Sequence, residues 1–179
     1  MKYKKGIFVE SDHTIPPRLL PVETYAEAMS SLIIVCADAV IFSPESKTIY
    51  LARRCVSPMQ GYWTIGGRRF AGEAGVEAVR RNLLRETGIN ADEERFSHAA
   101  TVEAVWCNRK EEPIEQGKHD IIQFFSIVLS EPELKQANSN LLQSEYEPLS
   151  LRSFTYQDLI AHGVNPVMRH IYQALFPEN

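Results

Sequence analysis

Between Gly66 and Ile89 the chain reads GGRRFAGEAGVEAVRRNLLRETGI. Two adjacent glycines let a strand end in a tight turn with backbone carbonyls and amides facing a ligand. Glu73 opens a helix, where the dipole favours a negative charge. Arg81, further along, is in reach of Glu73 or Glu77. Positions 82, 85 and 86 are spaced i, i+3 and i+4 and therefore share one helical face. That spacing suits oxygen ligands gathered around a hard cation such as Mg²⁺. The three positions are held by Asn82, Arg85 and Glu86.

Other residues with chemical potential are scattered. Arg53 and Arg54 end a strand pattern, where exposed arginines are common. Tyr62 and Trp63 are suited to stacking on a base or sugar and equally to packing. His119 reads as a plain surface residue in a charged loop, and His98, on a half-apolar strand, reads as structural. Trp106 reads as core.

These residues need a scaffold, and the pattern supplies one. Residues 23–30 suit a short helix, and 31–42 a long Ile/Val-rich strand. SPESK forms a turn into an alternating strand at 48–53, completing a hairpin. Residues 73–87 form the clearest helix, with Val76, Val79 and Leu83 in one stripe and Gly88 as its stop. Strands follow at 96–106 and 120–129, with a polar surface loop at 108–119 between them. A last strand is expected at 150–154. Thr155 and Asp158 make a capping pair for a short helix, and Asn165-Pro166 opens a final one. The alternation of strands and helices predicts an α+β fold, with a mixed central sheet flanked by helices.

The chain's 179 residues suit one compact domain. Residues 1–30, with Pro16, Pro17 and Pro21, read as an N-terminal arm with a short helix, and residues 31–179 as the domain. The arm has too little apolar patterning to fold alone and is expected to pack on a partner subunit. The net charge of −4 gives no basic excess for nucleic acid. Three widely spaced cysteines without a CxxC pair fit a reducing compartment. The N-terminus MKYKKGIFVESD has no apolar stretch behind it, and the longest apolar run, 32–42, is too short to span a bilayer. A cytoplasmic location away from membranes is expected.

The 66–89 segment resembles the Nudix box. That motif is a Gly, five residues, a Glu, seven residues, then Arg-Glu-apolar-x-Glu-Glu-x-Gly-apolar. Gly67, Glu73, Arg81, Leu83, Glu86, Gly88 and Ile89 fall on matching positions without a gap. The resemblance covers about residues 30 to 160 and implies an α/β/α sandwich of the Nudix type. Asn82 and Arg85 stand where the pattern has two more glutamates, so the formal charge of that face changes from −3 to 0. At most one metal, Mg²⁺ or Mn²⁺, is then expected.

The stretch LARRCVSPMQGYWTIGGR is similar to the GDP-mannose mannosyl hydrolase branch, whose members lack the same two glutamates. That likeness implies one metal held by the Gly66 carbonyl, Glu86 and a downstream residue, with Gln143 or Glu147 in the two possible registers. It also implies that Arg54 and Arg68 assist departure of the nucleoside diphosphate and that Asp38 belongs to the substrate site, to which Tyr62 is added for its capacity to stack. Ser144 or Pro148 stands where the branch has a histidine, which leaves Glu145 or His119 as substitutes for the base. The expected activity is metal-dependent hydrolysis of a nucleotide sugar by a homodimer. A general Nudix diphosphatase of other NDP-linked compounds and a non-catalytic nucleotide-binding module are the alternatives.

Overall fold

The computed structural model describes residues 2–4, 7–9 and 14–177. The parts of the arm at 1, 5–6 and 10–13 lie outside the described residues. Short strands β1 (Lys2–Lys4) and β2 (Ile7–Val9) pair antiparallel as a separate ribbon. Helix α1 spans Val22–Ser31, so the expected helix is present and one residue longer at each end. Strand β3 (Ile34–Ser43) consequently begins three residues later than the expected strand at 31–42.

Strand β3 is the centre of the main sheet. It pairs antiparallel with β4 (Thr48–Arg54) through the hairpin Ile41↔Tyr50, and with β6 (Ile65–Arg68) at Asp38↔Gly66. On its other edge it runs parallel to β8 (Lys118–Ile127). Beyond β8 lies β7 (Ser97–Trp106); β4 also pairs with β5 (Gly61–Trp63) and β9 (Arg152–Phe154). The result is a mixed seven-stranded sheet.

Both faces of β3 are covered, which is why its sequence reads as a continuous apolar run rather than an alternation. Ala37, Ala39 and Ile41 face one core with Val79 and Leu83 of helix α2 (Gly75–Thr87). Cys36 and Val40 face a second core with Leu159, Met168 and Ile171. These last come from helices α4 (Tyr156–Ala161) and α5 (Pro166–Leu175), which start where their caps predict. The Thr155 hydroxyl accepts from the Asp158 N–H, and Asn165 Oδ1 accepts from the Val167 N–H at 3.0 Å.

Helix α3 (Glu131–Ser139), between β8 and β9, is absent from the sequence expectation. Its signal is present: the Glu133 carboxylate accepts from both N–H and hydroxyl of Ser130 at 2.8 and 2.9 Å. Ser130 and Glu133 are thus a capping box, with Pro132 in the first turn.

Two further expectations are corrected. Glu73 lies before α2 rather than inside it, and Ala74 stands at the N-cap position, its N–H donating to Glu77 Oε2 at 2.9 Å. The 108–119 stretch is not simply a surface loop, because Lys118 and His119 already belong to β8 and Arg109 is only 1% exposed. Arg109 donates to Ser30 Oγ at 3.0 Å and to the carbonyls of Glu111, Glu112 and Gly117. This buried guanidinium ties the loop to the end of α1.

Candidate active site

A cavity of about 770 Å³ opens where α1, β3, β6 and the end of α2 converge. Its wall includes Gly66, Gly67, Arg85 and Glu86 from the glycine-helix segment, with Asp38, Arg54 and Arg68. Trp63, Trp106, Lys118 and Asp120 line it as well. Residues distant in sequence meet here because β3, β6 and β8 are neighbours.

Gly66 is required by its position opposite Asp38. A Cβ on Gly66 would stand 2.1 Å from Asp38 Oδ1 and 2.6 Å from Asp38 Cα, so no side chain fits. Its amide is free to donate to Glu86 Oε2 at 3.1 Å. The Tyr146 hydroxyl donates to the same oxygen at 2.7 Å, and Arg85 Nη2 donates to Glu86 Oε1. Glu86 is 1% exposed, and burial pushes its carboxyl up against the opposing pull of Arg85 and Tyr146.

Arg81 and Glu73 form a bidentate pair at 2.6 and 2.8 Å, which resolves the partner of Arg81 as Glu73. Glu73 also accepts from the Phe70 N–H at 2.8 Å, and Arg81 lies 4.0 Å over the Phe70 ring. Burial works to raise the Glu73 carboxyl, but Arg81 and the Phe70 amide hold it below the ordinary carboxylate range. The pair therefore braces the glycine loop against α2.

Asn82 faces inward and is fully buried. Its amide donates to the carbonyls of Ala37 at 3.1 Å and Gly67 at 2.9 Å, and its oxygen accepts from Arg81 at 2.8 Å. Both its N–H donors are thus used in joining α2 to β3 and β6, and its oxygen is turned to Arg81.

Arg54 Nη2 bonds Glu145 at 3.2 Å, while its Nε is buried without a hydrogen-bond partner. Burial opposes the Arg54 charge, yet Tyr146, Glu145 and Asp38 more than offset this and hold it above the usual range. Arg68 lies 4.1 Å over the ring of Tyr25, so α1 forms a side of the cavity. Asp38 is buried; Trp63 Nε1 and Thr64 Oγ1 donate to it at 3.0 and 2.8 Å. Burial raises its carboxyl against those hydrogen bonds and Arg54.

The remaining predicted residues are elsewhere. The Tyr62 ring packs 4.8 Å from Phe154 with Arg152 at 4.3 Å over it; the neighbouring Trp63 is the aromatic on the cavity wall. Gln143 is exposed, and Glu147 pairs with Arg53 at 3.3 Å; neither lines the cavity, whereas Glu145 does. His119 sits 3.6 Å from Glu103 and lines a separate cavity of about 330 Å³. His98 packs edge-on to Phe125 and bonds Thr101, a structural placement.

Trp106 is on the cavity as well as in the core, its Nε1 donating to Asp120 Oδ2 at 2.8 Å. Lys118 joins the same oxygen at 2.9 Å, and Asp120 Oδ1 is buried without a hydrogen-bond partner. Asp120 and Lys118 were not legible as site residues: a charged pair on a strand reads as a solvated edge until β3 is known to lie alongside.

The donor set around Glu86 does not fit a divalent cation. Among the described residues no three His, Cys, Asp or Glu side chains gather as a metal site. Both Glu86 oxygens already accept from N–H or O–H donors, one of them a guanidinium. The Asn82 oxygen is turned to Arg81, and the Gly67 carbonyl is occupied by Asn82.

The fold is that of solved Nudix structures. The MutT NUDIX hydrolase from Burkholderia pseudomallei is similar with a TM-score of 0.61 and 19% identity, over 81% of this chain and 99% of that one. The dihydroneopterin triphosphate pyrophosphohydrolase of E. coli is similar at 0.55 and 14%, over 80% and 96%. The Ap4A hydrolase of C. elegans is similar at 0.52 and 13%, also over 80% and 96%. No curated protein matches the chain. The chain belongs to the NUDIX domain family, whose model matches residues 33–175, and by that membership is classed with the Nudix hydrolases. Those hydrolases generally use divalent metals such as Mg²⁺, against which the donor set of this chain stands out.

Proposed function

We propose that the protein hydrolyses a nucleoside diphosphate linked to another group, with a nucleotide sugar as the substrate class. One observation carries this reading: the cavity joins the glycine pair and Glu86 to three arginines, Arg54, Arg68 and Arg85. Guanidinium groups match phosphate oxygens in fork geometry and stabilise charge on a departing diphosphate. The aromatic walls, Tyr25, Trp63 and Trp106, offer faces for a base or sugar, with Asp120 and Lys118 as polar contacts between them.

In the sugar reading, water attacks the anomeric carbon. The carbon–oxygen bond breaks, the diphosphate keeps the bridging oxygen, and the water proton passes to solvent or to a base. Glu145, the carboxylate of the 143–147 segment on the cavity wall, is the candidate base. Attack at phosphorus would instead give a nucleoside monophosphate and a phosphorylated fragment. A second reading, a module that binds such a molecule without turnover, is favoured by the three donors, one of them a guanidinium, that already hold Glu86.

The test is a hydrolysis screen over nucleoside diphosphate sugars and other NDP-linked compounds, with and without divalent metal and with products separated by chromatography. Free sugar with intact nucleoside diphosphate supports carbon attack. A monophosphate product supports the general diphosphatase. Binding without turnover supports the module.

A homodimer and a cytoplasmic location belong to the same reading. The three cysteines are free, in keeping with a reducing compartment. Ile15 and helix α1 lie on their own chain, with the Ile15 carbonyl against Gly72 and Tyr25 against Arg68, so α1 closes its own cavity whether or not a partner covers it. Sedimentation velocity tests the dimer, and a monomeric value overturns it.

A further inference from the structure

Arg85 occupies the place in this site where a cation is needed. Glu86 is a buried carboxylate, and a buried charge requires a counter-charge. The residue supplying it is the one just before it in α2, through Arg85 Nη2 on Glu86 Oε1. The same Nη2 lies over the glycine pair, only 3.2 Å from where a Cβ on Gly67 would be. The Arg85 side chain is nevertheless 45% exposed and lines the cavity. A guanidinium has five N–H donors, so one bond to Glu86 leaves others for a ligand.

We propose that Arg85 takes the role of the divalent cation, so that this site binds a diphosphate through Arg85, Arg54 and Arg68 without metal. The inference rests on the diphosphate reading of the cavity. Its physical basis is exclusion as well as supply. A divalent ion at Glu86 would have to displace a paired guanidinium and then stand beside its positive charge, a repulsion that the protein interior screens poorly. Asn82 adds no negative charge, and its amide group is turned to Ala37, Gly67 and Arg81. Tyr146 and the Gly66 amide hold Glu86 Oε2 and Arg85 holds Oε1, so Glu86 reaches the cavity wall with Arg85 beside it as the exposed charge.

The experiment uses the full chain freed of metal with EDTA. Free Mn²⁺ is followed by electron paramagnetic resonance during titration, and ADP and GDP binding is measured by calorimetry with EDTA and again with Mg²⁺. The wild type is expected to bind Mn²⁺ no tighter than about 1 mM and to bind the diphosphates equally with and without Mg²⁺. Arg85→Gln is expected to weaken diphosphate binding in EDTA by about tenfold. Arg85→Lys keeps the charge and is expected to lose less. Arg85→Glu is expected to gain Mn²⁺ binding by adding a carboxylate beside Glu86. Thermal melts of each variant establish that it is folded.

Stoichiometric Mn²⁺ binding by the wild type, diphosphate binding that requires Mg²⁺ or is absent altogether, or unchanged binding by Arg85→Gln would each overturn the proposal. Hydrolysis that depends strictly on Mg²⁺ would overturn it while leaving the hydrolase reading intact. Arg85-dependent diphosphate binding in EDTA with no turnover of any substrate would do the reverse.

Discussion

Tyr146 donates its hydroxyl to Glu86 Oε2 at 2.7 Å, joining the segment before β9 to the last turn of α2 across sixty residues. The Thr64 carbonyl lies 3.2 Å from the same phenol oxygen, close enough to share its single proton, and the ring is buried among Glu86, Arg54 and Asp38. Burial, reinforced by the Glu86 charge, pushes its own ionisation well up, so it stays a donor at every working pH. It holds the carboxylate that Arg85 also grips.

Tyr146→Phe removes a hydrogen bond to a buried charged acceptor while keeping the ring. The expected loss is about 1.5–3 kcal/mol in unfolding free energy. Denaturant unfolding checks this, and an unchanged midpoint would mean that the hydroxyl contributes nothing to the site.

Asn82→Glu, which restores the family pattern, is expected to destabilise rather than repair. The new carboxylate would lose the two donor bonds to Ala37 and Gly67 and confront both carbonyls from a fully buried position. A loss of about 1–3 kcal/mol is expected, because two buried carbonyls lose their donor and Arg81 alone faces the new charge. A Tm equal to the wild type would show that α2 can shift enough to expose this face.

Gly66→Ala is expected to disrupt the β3–β6 pairing, because the added methyl overlaps Asp38 side chain and backbone. Overpacking against backbone costs on the order of 3 kcal/mol. Gly163→Ala is the control: nothing lies within 4 Å of its Cβ, and its φ of +59° carries only the left-handed strain of about 1 kcal/mol. Parallel melts of the two variants separate steric overlap from backbone strain.

Arg95 grips Glu133 at 2.6 and 3.0 Å, and its hydrogen bonds, with those of Ser130, hold the Glu133 carboxyl down at about 2. A depressed carboxylate contributes stability that is present above its unfolded value, 4.5, and lost as pH falls through the folded one. Glu133→Gln is therefore expected to lower Tm at pH 7, with most of that deficit gone as pH approaches 2. Melts across pH 2–7 check this, and a deficit that persists at the acid end would assign the effect to the helix cap alone.

Arg68→Ala is expected to raise KM for a diphosphate substrate by about tenfold, the loss of one charge-assisted contact. Unfolding should change by less than about 1 kcal/mol, the scale of a partly exposed cation–π pair with Tyr25. Steady-state kinetics with denaturant unfolding separates the two, and an unchanged KM would remove Arg68 from the site.

What the sequence by itself determined is local. Caps, glycines and apolar spacing carry their signal within a few residues: Thr155 with Asp158, Asn165 with Pro166, and the Val79–Leu83 stripe ending at Gly88 all form as spacing predicts. The gapless match from Gly67 to Ile89 is of the same kind. Partnership across the fold was decided by the tertiary structure alone. Strand β3 puts Asp38 against Gly66 and Asp120 beside Ile34, while the segment after α3 brings Glu145 and Tyr146, rather than Gln143, to Arg54 and Glu86. The physical reason is that a buried charge is satisfied by whichever donor the packing brings within 3 Å. Arg85, one residue from Glu86, became its counter-ion only because Tyr146 and Gly66 had fixed the carboxylate from the other side.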